Sequence, residues 1–165
     1  MGRKSIRENK SVYMLTREQN GLTREKASEL IDGITPSRLE KLESGRTVVQ
    51  PEDVVMMARA YKEPGLCNYY CTHECAIGKK STPVLEEKDL PQIAIEMVNR
   101  ISELYQQKEL LLHIAEDGTV SEDEYAEFSG LKQMIDKLTV SAQTLQLWLE
   151  KAAATGEVDQ DLISG

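Results

Sequence analysis

The sequence predicts an all-α protein, with five short helices in its N-terminal part and a long αα-hairpin of coiled-coil type after them. Three observations carry this expectation. No stretch alternates apolar and polar residues with the period of two that a half-buried strand shows. Apolar residues recur instead at intervals of three and four along most of the 165 residues. Helix-starting Thr, Ser and Pro and helix-ending Gly frame those stretches.

Each element follows from its own residues. "NKSVYMLTREQNG" offers Val12, Tyr13, Leu15 and the neighbouring Met14 as a buried stripe closed by Asn20-Gly21. "LTREKASELIDG" starts at a Thr23 cap, buries Ala27, Leu30 and Ile31, and stops at Asp32-Gly33. "TPSRLEKLESG" has Thr35 as its cap and Pro36 at the first helical position, where a missing N–H costs nothing. Leu39 and Leu42 form its apolar side, with Leu22 and Ile34 joining the same core, and Gly45 ends it. Pro51 opens the fourth helix, with Glu52 and Asp53 favourable at the positive end of its dipole. Val54, Met57, Ala58 and Tyr61 line its core side, and "GLCNYYCTHECAIG" forms the fifth short helix.

Lysines, two prolines and acidic residues then mark a linker over roughly residues 78–91. The first long helix carries Ala94, Met97, Ile101, Leu104, Leu111 and Ala115 on one stripe, with Lys108 out of place. The second carries Phe128, Leu131, Ile135, Leu138, Ala142, Leu145, Leu149 and Ala152. Asp117-Gly118 turns the chain between them, and Ser121 with Glu124 makes a capping box for the return. The returning helix outruns its partner, so Trp148, Leu149 and Ala152 need a cover from the N-terminal part or a second chain.

Charge divides the chain in two. Residues 1–62 hold 12 Lys and Arg against 9 Asp and Glu, and the remainder holds 8 against 19. The first part can meet phosphate; the second repels it. Aromatic residues make up only 5%, which argues against a stacked-ring nucleic-acid surface. No apolar run reaches the ~18 residues of a membrane span, and the N-terminus has no signal-peptide core, so the chain reads as cytoplasmic. Two histidines far apart and the absence of a glycine-rich phosphate loop or a triad order argue against an enzyme.

The segment "GLTREKASELIDGITPSRLEKLESGR" resembles the Cro/cI-type (XRE) helix-turn-helix family, and the resemblance extends over residues ~8–62. It implies that the second helix of the motif enters the major groove of double-stranded DNA. Ser37 and Lys41 are then the groove-facing residues, with Thr35 and Pro36 at the helix entry and Arg38 and Ser44 beside them. Arg24 and Arg46 match phosphate-holding positions. Arg17 and Glu43 match a structural pair tying the first helix to the end of the third. The chain departs from the pattern in a turn one residue longer, in Ser28 where alanine is usual, and in Pro36 and Glu40 on the reading face.

Cys67, Cys71 and Cys75 are the only cysteines. Clustered thiols in a reducing compartment point to metal or redox chemistry more than to disulfides. On a straight helix Cys67 and Cys75 stand about 12 Å apart at 1.5 Å per residue. A single zinc requires sulfurs roughly 3.8 Å apart. The readings are therefore packing as small hydrophobes, a zinc site of Cys67, Cys71, His73 and Cys75 with the helix unwound near Thr72–His73, or an iron–sulfur cluster or redox role for the three thiols.

These readings combine into a domain plan: residues 1–64 a helix-turn-helix DNA-binding domain, 65–91 a cysteine segment and linker, 92–156 the dimerising hairpin, 157–165 an acidic flexible tail. Leu131, Ile135, Leu138, Leu145, Trp148 and Leu149 are the expected homodimer contacts. The expected function is a repressor-like transcriptional regulator. The alternative is a protein-interaction adaptor or anti-activator of mobile-element origin that keeps the fold without specific DNA binding.

Overall fold

The computed structural model describes residues 10–159, without the side chains of 114–117 and 123. Among these residues the fold is all α. The helices are α1 Val12–Gln19, α2 Arg24–Leu30, α3 Pro36–Glu43, α4 Pro51–Tyr61, α5 Gly65–His73, α6 Gly78–Ser81, α7 Leu90–Gln106, α8 Lys108–Asp117 and α9 Tyr125–Thr155, with a 3₁₀ turn at Glu122–Glu124. They divide between two compact units, residues 10–84 with 150–159 and residues 85–149.

Local chemistry fixes the helix ends of the first unit. Thr23 and Thr35 each accept an N–H from the third residue beyond, Lys26 and Arg38, at 3.2 Å. At the end of α3, Gly45 takes φ +71°. That conformation lets Arg46 N–H reach Lys41 O at 2.9 Å and Gly45 N–H reach Leu42 O at 3.1 Å, satisfying two orphan carbonyls. Gln50 and Asp53 form a reciprocal capping box on α4.

The first unit closes over Tyr13, Ala27, Ile31, Ile34, Leu39, Leu42, Val54, Met57, Tyr61 and Leu66, all buried. Two expected core residues are corrected. Leu30 is 58% exposed and Leu15 is 42% exposed. Helix α2 stops at Leu30, so Ile31 leaves the helix in an extended conformation and enters the core instead. In α1 the buried face is Tyr13, Met14, Thr16 and Arg17, because Arg17 must reach an internal carboxylate.

Helix α5 belongs to this core rather than to a connector: Leu66 is 2% exposed, and Cys67, Tyr69 and Tyr70 pack against the cluster. The Tyr13 hydroxyl donates to Glu74 at 3.0 Å, and the Tyr13 and Tyr69 rings meet edge-on at 6.2 Å. Burial and that carboxylate both push the Tyr13 phenol well above its usual range. Residues 150–155 of α9 count with this unit, where Lys151 pairs with Glu63 at 3.0 Å and Ala152 is buried.

In the second unit the first leg of the hairpin is two helices, breaking at Gln107 beside the misplaced Lys108. Ser121 and Glu124 form the expected capping box, and Gly118 takes φ +69° in the turn. Each expected stripe is covered in part, and Ala115 lies outside the described side chains. On α7 the most covered apolar positions are Ile93, Met97 and Leu104, while Ala94 and Ile101 are exposed. On α9 Leu131 and Ala152 are buried and Leu138, Ala142, Leu145 and Leu149 are half-buried, with Met134 and Trp148 covered beside them, while Phe128 and Ile135 are exposed. Buried Ser141 and Thr144 return their hydroxyls to Lys137 O and Val140 O, at 3.2 and 2.8 Å.

Candidate nucleic-acid interface

Helix α3 is fastened on its underside and open on its outer side. Leu39 and Leu42 anchor it at 0% and 2% exposure. The Glu43 carboxylate, fully enclosed, accepts Arg17 Nη2 at 3.0 Å and Arg17 Nε, and also Arg24 Nε at 2.9 Å. Burial opposes the Arg17 charge, yet the hydrogen bonds and attraction of Glu43 outweigh it and raise its pKa. Arg17 Nη1 also donates to Leu22 O at 2.6 Å, so one guanidinium joins α1, the turn before α2 and α3.

The turn between α2 and α3 has its own fastening. Ser28 Oγ donates to Ile34 O at 2.6 Å, so the hydroxyl that departs from the usual alanine supplies a partner for a carbonyl in the longer turn. From the other side, Arg38 Nη2 reaches both oxygens of Asp53, at 2.7 and 3.0 Å. Asp53 is buried and also accepts Gln50 N–H at 3.2 Å, so one carboxylate caps α4 and tethers α3.

The sequence-predicted residues divide accordingly. Ser37 and Lys41 are exposed, and among the described residues neither side chain has a polar partner. Thr35 and Pro36 stand exposed at the helix entry, Thr35 spending its oxygen on the cap. Arg38 is half exposed and committed on one nitrogen to Asp53. Ser44 returns its hydroxyl to Lys41 O at 3.2 Å. Arg46 lies past the exit glycine, 62% exposed, 3.6 Å from Glu40 on the same face. Arg24 is 30% exposed, with its Nε on Glu43. The structure thus brings Ser37, Arg38, Lys41 and Arg46 onto or beside one short helix, and gives Arg24 a structural task as well. The sequence reading missed Asp53 as the tether; its place at the third position after Gln50 was the available signal.

The cysteine segment is arranged differently. All three thiols are free and half-buried. Helix α5 runs unbroken through Cys67 and Cys71 and ends at His73, with Cys75 beyond the cap. The His73 ring stacks on Tyr69 at 4.5 Å, and its Nδ1 lies 2.8 Å from Thr72 Oγ1. Among the described residues no group of three or more His, Cys, Asp and Glu side chains is placed to hold a metal ion. Cys67 packs on the core, and burial raises its thiol pKa. Cys75 Sγ accepts Gly78 N–H at 3.4 Å.

Residues 15–66 match a family whose description is helix-turn-helix domain, and this stretch reaches from α1 to the start of α5. These residues therefore form a helix-turn-helix domain. No curated protein and no solved structure matches the chain. No helix among the described residues is long and apolar enough to cross a membrane.

Proposed function

We propose that the chain is a DNA-binding transcriptional regulator of repressor type, of the Cro/cI (XRE) kind, acting in the cytoplasm as a homodimer. The observation that supports it is the contrast on α3. Four charged side chains (Arg17, Arg24, Glu43 and Asp53) immobilise the helix, while Ser37 and Lys41 project without partners. A rigid helix presenting uncommitted donors is what base-edge reading requires. Lys41 offers three N–H donors to guanine O6 and N7, and Ser37 one hydroxyl to any base edge. Arg46 and the uncommitted nitrogens of Arg24 supply phosphate contacts, which set register without reading sequence. Bound across an operator, such a dimer excludes the transcription machinery.

Binding of the full chain to random duplex, titrated with salt, tests the reading. Each neutralised phosphate contributes about −0.9 to the slope of log affinity against log salt. Two to three contacts per protomer predict a loss of about a hundred- to a few thousand-fold between about 50 and 200 mM salt for a dimer. A chain that binds no duplex even at low salt is instead the interaction adaptor, a reading favoured by Glu40 lying on the face that would approach phosphate.

A further inference from the structure

Helix α7 is apolar on two sides, and only one of them is covered. Ile93 is 1% exposed, yet Ile95, Val98, Ile101 and Tyr105 are 64%, 62%, 48% and 62% exposed. Their spacing of three, three and four places them along one side of the helix over three turns. Ala94 and Ser102, small and exposed, lie among them. A solvated helix face carries charge; this one carries two isoleucines, a valine and a tyrosine.

We propose that this face of α7 pairs antiparallel with the same face of a second copy of the chain, and that this is the homodimer interface. The inference deepens the regulator reading above by naming its partner surface. Area supports this occupant. At exposures of 48–64% these four side chains, with Ala94 and Ser102, offer about 500 Å² per chain, so two chains together remove about 1,000 Å², the area a specific interface has to clear. The order of residues supports the two-fold axis. With the axis near residue 100, Ile95 meets Tyr105 of the second copy and Val98 meets its Ile101, so every large residue has a large partner. The heptad face of α9 is a poorer candidate, because Leu131 is 2% exposed and already serves its own chain.

Sedimentation of the full chain at tens of micromolar, without DNA, tests the pairing. The wild type is expected at twice its 18.6 kDa. Val98→Glu with Ile101→Glu, and separately Val98→Lys with Ile101→Lys, are each expected to sediment as monomers with helicity retained. Mixing the two variants restores a dimer, because Glu on one chain then faces Lys on the other. A monomeric wild type overturns the proposal, as does a glutamate variant that still dimerises or a mixture that stays monomeric. Duplex binding is scored separately: a monomer that binds DNA removes this interface alone, and a dimer that binds none removes the regulator reading alone.

Discussion

The Glu43 carboxylate accepts Arg17 Nη2 at 3.0 Å inside the first unit, and it shares that position with Arg24 Nε at 2.9 Å. One acidic side chain thereby fastens the C-terminal end of α3 to both α1 and α2. Glu43→Ala leaves Arg17 charged, buried and uncompensated, which costs about 3–5 kcal/mol. Urea unfolding measures it; a loss under about 1 kcal/mol would show that water replaces the carboxylate and that the clamp does not hold α3.

Arg38 and Asp53 form the second tether, and it is worth much less. Arg38 is 48% exposed, so solvent screens the pair and Arg38→Ala costs under about 1 kcal/mol of stability. Asp53→Ala also removes the α4 cap and costs about 1–2 kcal/mol. The order of the two losses is the test: Arg38→Ala costing more than Asp53→Ala contradicts the assignment of Asp53 to both tasks.

Two glycines give opposite responses. A Cβ on Gly78 would lie 2.2 Å from Cys71 O, a backbone atom that cannot swing aside. Gly78→Ala therefore separates α6 from α5 at about 1–3 kcal/mol. Gly130, inside α9, has nothing within 4 Å of its Cβ position, and Gly130→Ala raises stability by about 0.5–1 kcal/mol. Thermal unfolding of the two variants checks both signs.

Much of this was legible in the chain before any coordinates. Caps at Thr23, Thr35 and Ser121, the Pro36 and Pro51 starts, the Gly45 stop and the Arg17–Glu43 pair all rest on local chemistry, or on a motif with fixed spacing. Rotation about a helix axis was less legible. Period counting fits Ala94 and Ile101 as well as Ile93, since α7 is apolar on two sides and only packing chooses between them. Leu30 and Ile31 show the same limit at a helix end, where one residue of difference in the stop decides which side chain is buried. The consequence is measurable. Leu30→Ser should change stability by less than about 0.5 kcal/mol, whereas Ile31→Ala should cost about 2–5 kcal/mol.

The central claim is that the open side of α3 reads base edges. The most direct measurement selects duplexes from a random pool with the wild-type chain. It then compares Lys41→Ala, Ser37→Ala and Arg46→Ala on the selected sequence and on unselected duplex at fixed salt. Lys41→Ala and Ser37→Ala are each expected to lose about 1–3 kcal/mol on the selected sequence and much less on unselected duplex. Arg46→Ala loses similarly on both, with a shallower salt slope. Wild-type affinity on the selected sequence for both Lys41→Ala and Ser37→Ala, with the fold intact, would contradict the assignment of α3 to the groove.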